Sequence, residues 1–512
     1  MSTDNLSAKA GNSRFVARMI ESHSILGLAF AALIYVVSLT GAFAIFNEET
    51  EIWENAALAR PVEQVTPEAY EAALAGALAQ RQPGGRVINL RVNSPTLFAP
   101  VLAVRLNEND AAGEFRQTSW FADPDTGRLL GKLDAPLAHL IEQLHVSLHL
   151  PNPWGPYLVG LLGVCMFSLI LSGILAHPAI FRDAFKLRLD RNRRIAWTDV
   201  HNRLSVWGLP FHLVLTFTGG FLGLAGLIVG ALAMIAYEGD QERALGSVQG
   251  PQAIEGRPIT GVPPIASMVA EVRKGDKPIE LIIVKDVDNA GGITQVAVRD
   301  ADILDSDTAQ IFRNDGQFLE TYGGADALGG IRALAMVQPL HFGTFGGYPV
   351  KFLYFVMALA LTWVTSSGMR IWFARRAQQA RPVPRIESAW RGMTLGLTLG
   401  LSAATLASAM SLGEFVLQIC LVVWALSIAA HILGRWPAHW LARIIMGSAG
   451  IMLVVAATIA GFGGADAGLP LLVTLSITIL GCCMIAFVSR LRGETSVSKE
   501  QPRFSGPQTG QA

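Results

Sequence analysis

Four of the ten histidines in this 512-residue chain stand at matched distances from the same small landmarks. The interval from His23 to the glycine of Thr40-Gly41 equals the interval from His201 to the glycine of Thr218-Gly219. The interval from His145 of Leu144-His145 to Gly173 of Ser172-Gly173 is only one position longer than that from His341 of Leu340-His341 to Gly368 of Ser367-Gly368. Each half therefore reads histidine, apolar run, polar segment, histidine, apolar run. Self-similarity of this kind marks a duplicated unit. Inward-pointing residues related by a two-fold axis face each other across it, so His23 should meet His201 and His145 should meet His341. Two facing imidazoles are what a six-coordinate b-type haem needs, one on each side of the iron. Each gives one nitrogen to the metal and keeps the other as an orienting donor. The pattern predicts two haem b groups, one near each face of a membrane, with iron held by His23, His201, His145 and His341.

The composition fits elements that would hold such a site in lipid. The chain is 51% hydrophobic and only 16% charged, and its mean hydropathy is +0.40. That is too apolar for an ordinary soluble enzyme of this length. A net charge of zero argues against a nucleic-acid partner. Cys165, Cys420, Cys482 and Cys483 all fall in apolar runs without CxxC or CxxCH spacing, which argues against covalent c-type haem. Apolar runs at 25–46, 157–176, 204–236, 350–373, 391–412, 415–433, 441–462 and 469–488 reach or approach the ~20 residues of a transmembrane helix.

Charge sets their direction. Arg182, Lys186, Arg188, Arg191, Arg193, Arg194 and Arg203 separate the second run from the third, and Arg375, Arg376, Arg381, Arg385 and Arg391 follow the fourth. By the positive-inside rule both termini are cytoplasmic. No cleavable signal peptide is evident, because the basic N-terminus leads into a full-length span. The expected organisation is a cytoplasmic N-terminus at 1–22, spans at 23–46, 151–178, 204–236 and 346–374, a basic loop at 179–203 and a basic linker at 375–390. Four further spans fill 391–488, and 489–512 is a disordered cytoplasmic tail.

Two long segments, 47–150 and 237–345, remain outside. The first reads as a helix near 66–81 opened by Thr66-Pro67-Glu68, strands near 86–93, 98–107 and 114–122, and a turn at Asp123-Pro124-Asp125-Thr126-Gly127. The second repeats the plan with a helix near 264–274, strands near 279–286 and 293–299, and a turn at Asn314-Asp315-Gly316. The fold class is thus a mostly α polytopic membrane protein. It has a duplicated four-helix haem-binding bundle, two outer α+β modules and four additional C-terminal transmembrane helices.

Other residues are open to two readings. His212, about three turns after His201 and so ~16 Å further along a helix, is a functional candidate by its depth. Ile34 holds the equivalent place in the first half, and His212 could replace a symmetric ligand if a haem lies deeper. His149, placed one helical turn after His145, and His177, at the inner end of the second span, are either ligands or spectators. His139, His431 and His439 read as interfacial. Arg194, Arg203 and Arg370 inside, and Arg332 outside, are either propionate partners or topology signals. Trp154, Trp207, Trp363 and Trp372 either pack on porphyrin or form an interfacial belt. The hydroxyl-glycine pairs permit close helix contact or approach to a flat ligand.

At these residues the chain resembles the PepSY-associated transmembrane family, which includes bacterial inner-membrane ferric-siderophore reductases. The motifs are His23 with Leu26-Gly27-Leu28 and Thr40-Gly41, the turn at 123–127, Leu144-His145 to Ser172-Gly173, Asp199-x-His201-Asn202, and Leu340-His341-x-Gly343 to Ser367-Gly368. The likeness covers roughly 15–378 and stops before the last four spans. It implies PepSY modules in the periplasm, bound b-type haems and a link to iron acquisition. It brings no flavodoxin or nicotinamide domain, and no nucleotide-binding signature appears in the cytoplasmic segments.

The expected function is transmembrane electron transfer in the bacterial inner membrane. A cytoplasmic or quinol donor would supply electrons to reduce a ferric siderophore, or another ferric chelate, in the periplasm. The competing readings are a membrane-anchored PepSY regulator of periplasmic peptidases and a siderophore or iron transporter. Glu414 lies in a short outer loop, and no carboxylate-rich midplane supports transport.

Overall fold

A computed structural model describes residues 3–62, 64–177, 193–275, 277–298, 304, 308–323, 329–434, 437–464 and 468–490. It divides into two compact units, Met1–Val383 and Pro384–Ala512. Most of the basic loop and tail expected at 179–203 and 489–512 lies outside the described residues.

In the first unit, α1 (Thr3–Ala44) is the first apolar span and leads into a short α2 (Asn47–Glu54). Then come α3 (Pro67–Leu78), β1 (Arg86–Asn93), β2 (Leu102–Asn109), β3 (Phe115–Ala122) and β4 (Leu129–Lys132). Next are α4 (Pro136–Val146), the second span α5 (Trp154–Ala176), α6 (Arg193–Trp207), α7 (Leu209–Gly223), α8 (Ala225–Ala236) and α9 (Gln241–Gln249). The second outer segment supplies α10 (Ile265–Val272), β5 (Ile279–Lys285), β6 (Ile293–Val298), β7 (Thr308–Arg313) and β8 (Phe318–Gly323). Two helices, α11 (Gly329–Phe342) and α12 (Gly347–Gln378), complete the unit.

Local chemistry explains several boundaries. Thr66 caps α3, its Oγ1 accepting the Ala69 N–H at 3.2 Å with Pro67 in the first turn. The β2 strand alternates, burying Leu102, Val104, Leu106 and Glu108. In the turn at 123–127, the Asp123 carboxylate accepts the N–H groups of Asp125 and Thr126. Gly127 has φ 71°, and a Cβ there would lie 2.3 Å from the Ala69 carbonyl of α3. Only glycine lets this turn sit against the helix.

The outer segments differ from the expected separate modules. Their strands form one antiparallel sheet, in the order β4-β3-β2-β1-β5-β6-β7-β8. The join is β1 against β5, with Arg91 opposite Ile283 and Val92 opposite Ile282. Leu90, Val92, Ile282 and Val284 are fully buried, and α3 and α10 pack side by side in the same core with Tyr70, Leu74, Met268 and Val269. Glu71 Oε2 accepts the Ala266 N–H at 2.8 Å and so ties α3 to the start of α10. The second strand, expected from 98, begins at Leu102 because Thr96–Ala99 is a turn. The strands β4, β7 and β8, which the sequence pattern does not mark, are short runs without clean alternation.

The third apolar run is not the single span expected at 204–236. A 72° bend separates Arg194–Trp207 from Leu209–Gly223. Gly208 lies at the break, and Pro210, lacking an N–H, cannot continue the ladder back to Val206. Among the described residues, seven helices are long and apolar enough to cross a membrane, or eight if the bent pair is one span. Four of the seven form the second unit: α13 (Pro384–Ala409), α14 (Val416–Leu433), α15 (Ala438–Phe462) and α16 (Gly468–Arg490). There α13 packs on α14 through Gly392, Gly396 and Gly400, beside Ser427 and Cys420. The linker expected at 375–390 is shorter, since α12 runs to Gln378 and α13 starts at Pro384.

An ion pair ties the bundle to the outer segment. Lys351 of α12 donates to both carboxylate oxygens of Glu49 of α2, at 2.6 and 2.8 Å, and both residues are buried. Lys351 Nζ also sits 4.0 Å from the centre of the Phe98 ring. Burial raises the Glu49 pKa, and Lys351 opposes that shift.

Two outcomes are expected. Glu49→Gln or Lys351→Met alone lowers stability by about 3–5 kcal/mol, because a buried charge loses its partner, while Glu49→Leu with Lys351→Met recovers most of the loss. Thermal melting in detergent measures this, and equal losses in single and double variants would contradict it. Leu90→Ala costs about 2–5 kcal/mol. Because the core is shared, hydrogen exchange should show β6–β8 losing protection along with β2–β4.

Candidate functional site: two facing histidine pairs

The structure brings the four landmark histidines together as two pairs. His23 of α1 and His201 of α6 have ring centroids 6.3 Å apart with planes at 89°. His145 of α4 and His341 of α11 have centroids 6.1 Å apart with planes at 21°. On α1, His23 and Val37, whose carbonyl bonds His145, are separated by ~21 Å of helix at 1.5 Å per residue. The pairs therefore lie at opposite ends of the first unit's spans.

Each imidazole is held by Nδ1. His23 Nδ1 lies 3.0 Å from the Leu169 carbonyl and 3.2 Å from Ser172 Oγ. In the second half, His201 Nδ1 lies 3.0 Å from both the Val364 carbonyl and Ser367 Oγ. His145 Nδ1 lies 2.9 Å from the Val37 carbonyl, one turn before Thr40. His341 Nδ1 lies 3.0 Å from Thr218 Oγ1, whose own proton goes to the Val214 carbonyl at 2.7 Å, so the hydroxyl accepts from the ring. A carbonyl can only accept, so Nδ1 carries the proton and Nε2 keeps its lone pair. Among the described residues no hydrogen bond engages Nε2 of these four.

The glycine landmarks acquire a specific role. A Cβ on Gly41 would lie 2.6 Å from His145 Cε1, and one on Gly219 would lie 2.9 Å from His341 Cε1. Gly173 faces the His23 ring and Gly368 the His201 ring, at 3.4 and 3.5 Å. Gly41 and Gly219 thus make room for imidazoles, Gly173 and Gly368 lie in ordinary contact with theirs, and the neighbouring hydroxyls or carbonyls orient the rings. The residues that side-chain spacing does not reveal are the carbonyl acceptors of Leu169, Val364 and Val37. The signal was there: each stands three positions before a landmark hydroxyl.

The other candidates separate. His212 is buried on α7, its Nε2 donating to the Met357 carbonyl of α12 at 3.2 Å. Its nitrogen nearest a partner is thus already used, and it joins neither pair. His149 is not one turn along a helix from His145, because α4 ends at Val146. Instead it stands in the following loop with φ 56°, its ring 6.5 Å from that of His139. His177 caps the end of α5 and joins no pair. His431 is buried rather than interfacial, with Nδ1 on its own helix at the Ser427 carbonyl.

Near the first pair, the Arg370 guanidinium stacks on Trp197 at 4.5 Å, and Trp197 lies 6.4 Å from Trp363. Arg203, two residues after His201, has Nε and Nη2 buried and unpartnered among the described residues. Among those residues no three His, Cys, Asp or Glu side chains gather as a metal cluster.

A family model of the PepSY-associated TM region matches residues 20–375. The chain belongs to the PepSY-associated transmembrane family. All four paired histidines and their carbonyl partners fall inside that match. An uncharacterised protein of Pseudomonas aeruginosa, PA4219, is 32% identical over 349 residues, covering 63% of this chain and 86% of that protein. The PepSY-associated match together with the apolar helices makes this a multi-pass membrane protein.

Filling the space beside an imidazole should be costly. Gly41→Val is expected to destabilise by about 1–3 kcal/mol through overpacking. Gly230→Val, on α8 with nothing within 4 Å of the new Cβ, should have a much smaller effect. Thermal melting of both variants in one detergent checks the difference.

Proposed function

We propose that the chain is a two-haem b-type oxidoreductase of the bacterial inner membrane that reduces a ferric siderophore or similar ferric chelate in the periplasm. The observation that carries this reading is the pair of facing imidazoles, each locked by Nδ1 with Nε2 free. Two imidazoles on opposite sides of one ion, with metal–nitrogen bonds of about 2.0 Å and nitrogens about 1.2 Å from the ring centres, have centroids about 6.4 Å apart. The observed 6.3 and 6.1 Å fit that requirement. With only two protein ligands per site, the equatorial positions suit a macrocycle. When bound, haem supplies one-electron transfer between donor and acceptor.

The chain's own residues have defined work in this scheme. His23 with His201, and His145 with His341, would hold the haem iron, while the Leu169, Val364 and Val37 carbonyls and Thr218 Oγ1 would fix ring orientation and raise ligand basicity. The Arg203 guanidinium, with Nε and Nη2 buried, and Arg370 beside Trp197 supply cationic charge suited to carboxylates near the His23–His201 pair. The α1–α5–α12 core between the pairs, with Ile34, Leu162, Met166 and Leu361, keeps water out.

The charge pattern supports cytoplasmic termini, with the His23–His201 pair on the cytoplasmic side and the sheet in the periplasm. Electrons then enter from a cytoplasmic or quinol donor and leave toward the sheet side. Reduction weakens the iron's hold on hard oxygen ligands, so the chelator lets go.

Purified protein should show a dithionite-reducible Soret and α-band spectrum. His23→Ala or His201→Ala should remove one haem, and His145→Ala or His341→Ala the other, with His212→Ala sparing both. Because ligand-plane angle splits the iron d orbitals, the pairs at 89° and 21° should give two distinct low-spin ferric signals by electron paramagnetic resonance. Absence of haem, or full function with all four histidines as alanine, would turn the assignment toward an anchored PepSY regulator.

A further inference from the structure

Outside the paired histidines, the loop after α4 places two more imidazoles side by side. His139 and His149 are both exposed, with ring centroids 6.5 Å apart and planes at 89°. Two imidazoles on opposite sides of one ion would stand about 6.4 Å apart, close to this separation. His139 stands on α4, whose residues 136–146 form a regular helix. His149 reaches it only because Leu148 and His149 both adopt left-handed backbone, with φ 52° and 56°. Left-handed conformation is unfavourable for a residue with a Cβ and persists where the surroundings enforce it. Here the His149 N–H donates back to the Gln143 carbonyl at 3.1 Å, and Ser147 Oγ donates to both Gln143 oxygens at 2.9 Å. The loop is thus folded back onto the helix, and the fold-back is what carries His149 to His139.

We propose that His139 and His149 form a binding site for a divalent first-row transition-metal ion, separate from the two histidine pairs. Imidazole nitrogen suits Fe(II), Ni(II), Cu(II) and Zn(II), whereas a ferric ion in a siderophore prefers hard oxygen donors. Metal binding requires neutral imidazole. Waters fill the remaining positions, and Glu142, exposed one turn along α4 from His139, supplies the nearest carboxylate on that helix.

Position gives the site its use. His139 and His145 share α4 and are separated by about 9 Å along its axis. An ion at His139–His149 therefore lies close to the His145–His341 pair, on the sheet side of the bundle. There, on the reductase reading, one-electron reduction of a ferric chelate by a bound haem would yield a ferrous ion and a free chelator. The ferrous ion has gained the affinity for nitrogen that its ferric precursor lacked. The assignment of the ion as ferrous product rests on the reductase reading; the binding itself does not.

The test is calorimetric titration of tag-free, full-length protein in detergent with Ni(II), together with the oxidised and reduced absorption spectra. One equivalent should bind in the native chain. Losing an orienting partner of a ligand typically weakens a metal about 10–100-fold, so losing a ligand through His139→Ala or His149→Ala should weaken Ni(II) by at least about tenfold. Both variants should keep the native spectrum. Unchanged Ni(II) affinity in the doubly substituted protein, or equal loss in His145→Ala, overturns the site. Tight Ni(II) binding that depends on both residues, in protein without a Soret band, would retain the site and remove the reductase reading instead.

Discussion

An imidazole packed against helix backbone has an N–H that must find its acceptor in the protein, because a buried donor left unpaired costs several kcal/mol. The whole arrangement follows from where that acceptor is found. In each case it is a carbonyl or hydroxyl of a neighbouring helix, already close to the helical ladder, and reaching it requires the ring to lie against helix backbone. Side chains normally prevent that approach. Gly41 and Gly219 remove the obstruction at His145 and His341, where a Cβ would clash, while the His23 and His201 rings keep van der Waals distance from Gly173 and Gly368. Glycine thus sets the distance, the distance permits the Nδ1 bond, the bond fixes the tautomer, and the tautomer leaves Nε2 as the free nitrogen.

Much of this was legible in the sequence because repetition carries more information than any single motif. One histidine at some interval from a glycine says little, but the same interval in both halves restricts the fold to one that brings like residues together. What spacing could not reveal was which group each landmark serves. Gly41 read equally well as a helix-contact or ligand-contact residue, and the structure puts it against an imidazole. The carbonyl acceptors were hidden for a simpler reason: every residue has one, so no residue type announces it.

The outer segments show the opposite limitation. Alternation in β1, β2 and β5 located those strands, yet nothing in either run says which strand it pairs with. The β1–β5 join arises from two edges that each bury one face and lack a partner, an arrangement a single module would have to protect by other means. Short β4, β7 and β8 were lost because period-two patterning is hard to distinguish over so few residues. His149 was misplaced because helix periodicity was extended past Val146, where Leu148 and His149 turn left-handed.

The two halves also depart from symmetry in a way that assigns one helix a special burden. In the first half a single rod, α1, carries both His23 and the Val37 acceptor for His145, so it alone fixes the interval between the two levels. In the second half the 72° break at Gly208 puts His201 on α6 and Thr218 on α7, and neither of these two helices spans both levels. The interval must then be set by α12. It supplies Val364 and Ser367 to His201, Met357 to His212, and Tyr354, whose hydroxyl donates to the Leu340 carbonyl at 2.8 Å beside His341. His212 has meaning in this light: Ile34 suffices at the equivalent point of an unbroken helix, whereas a helix restarting after a break needs a polar tether to the rod beside it.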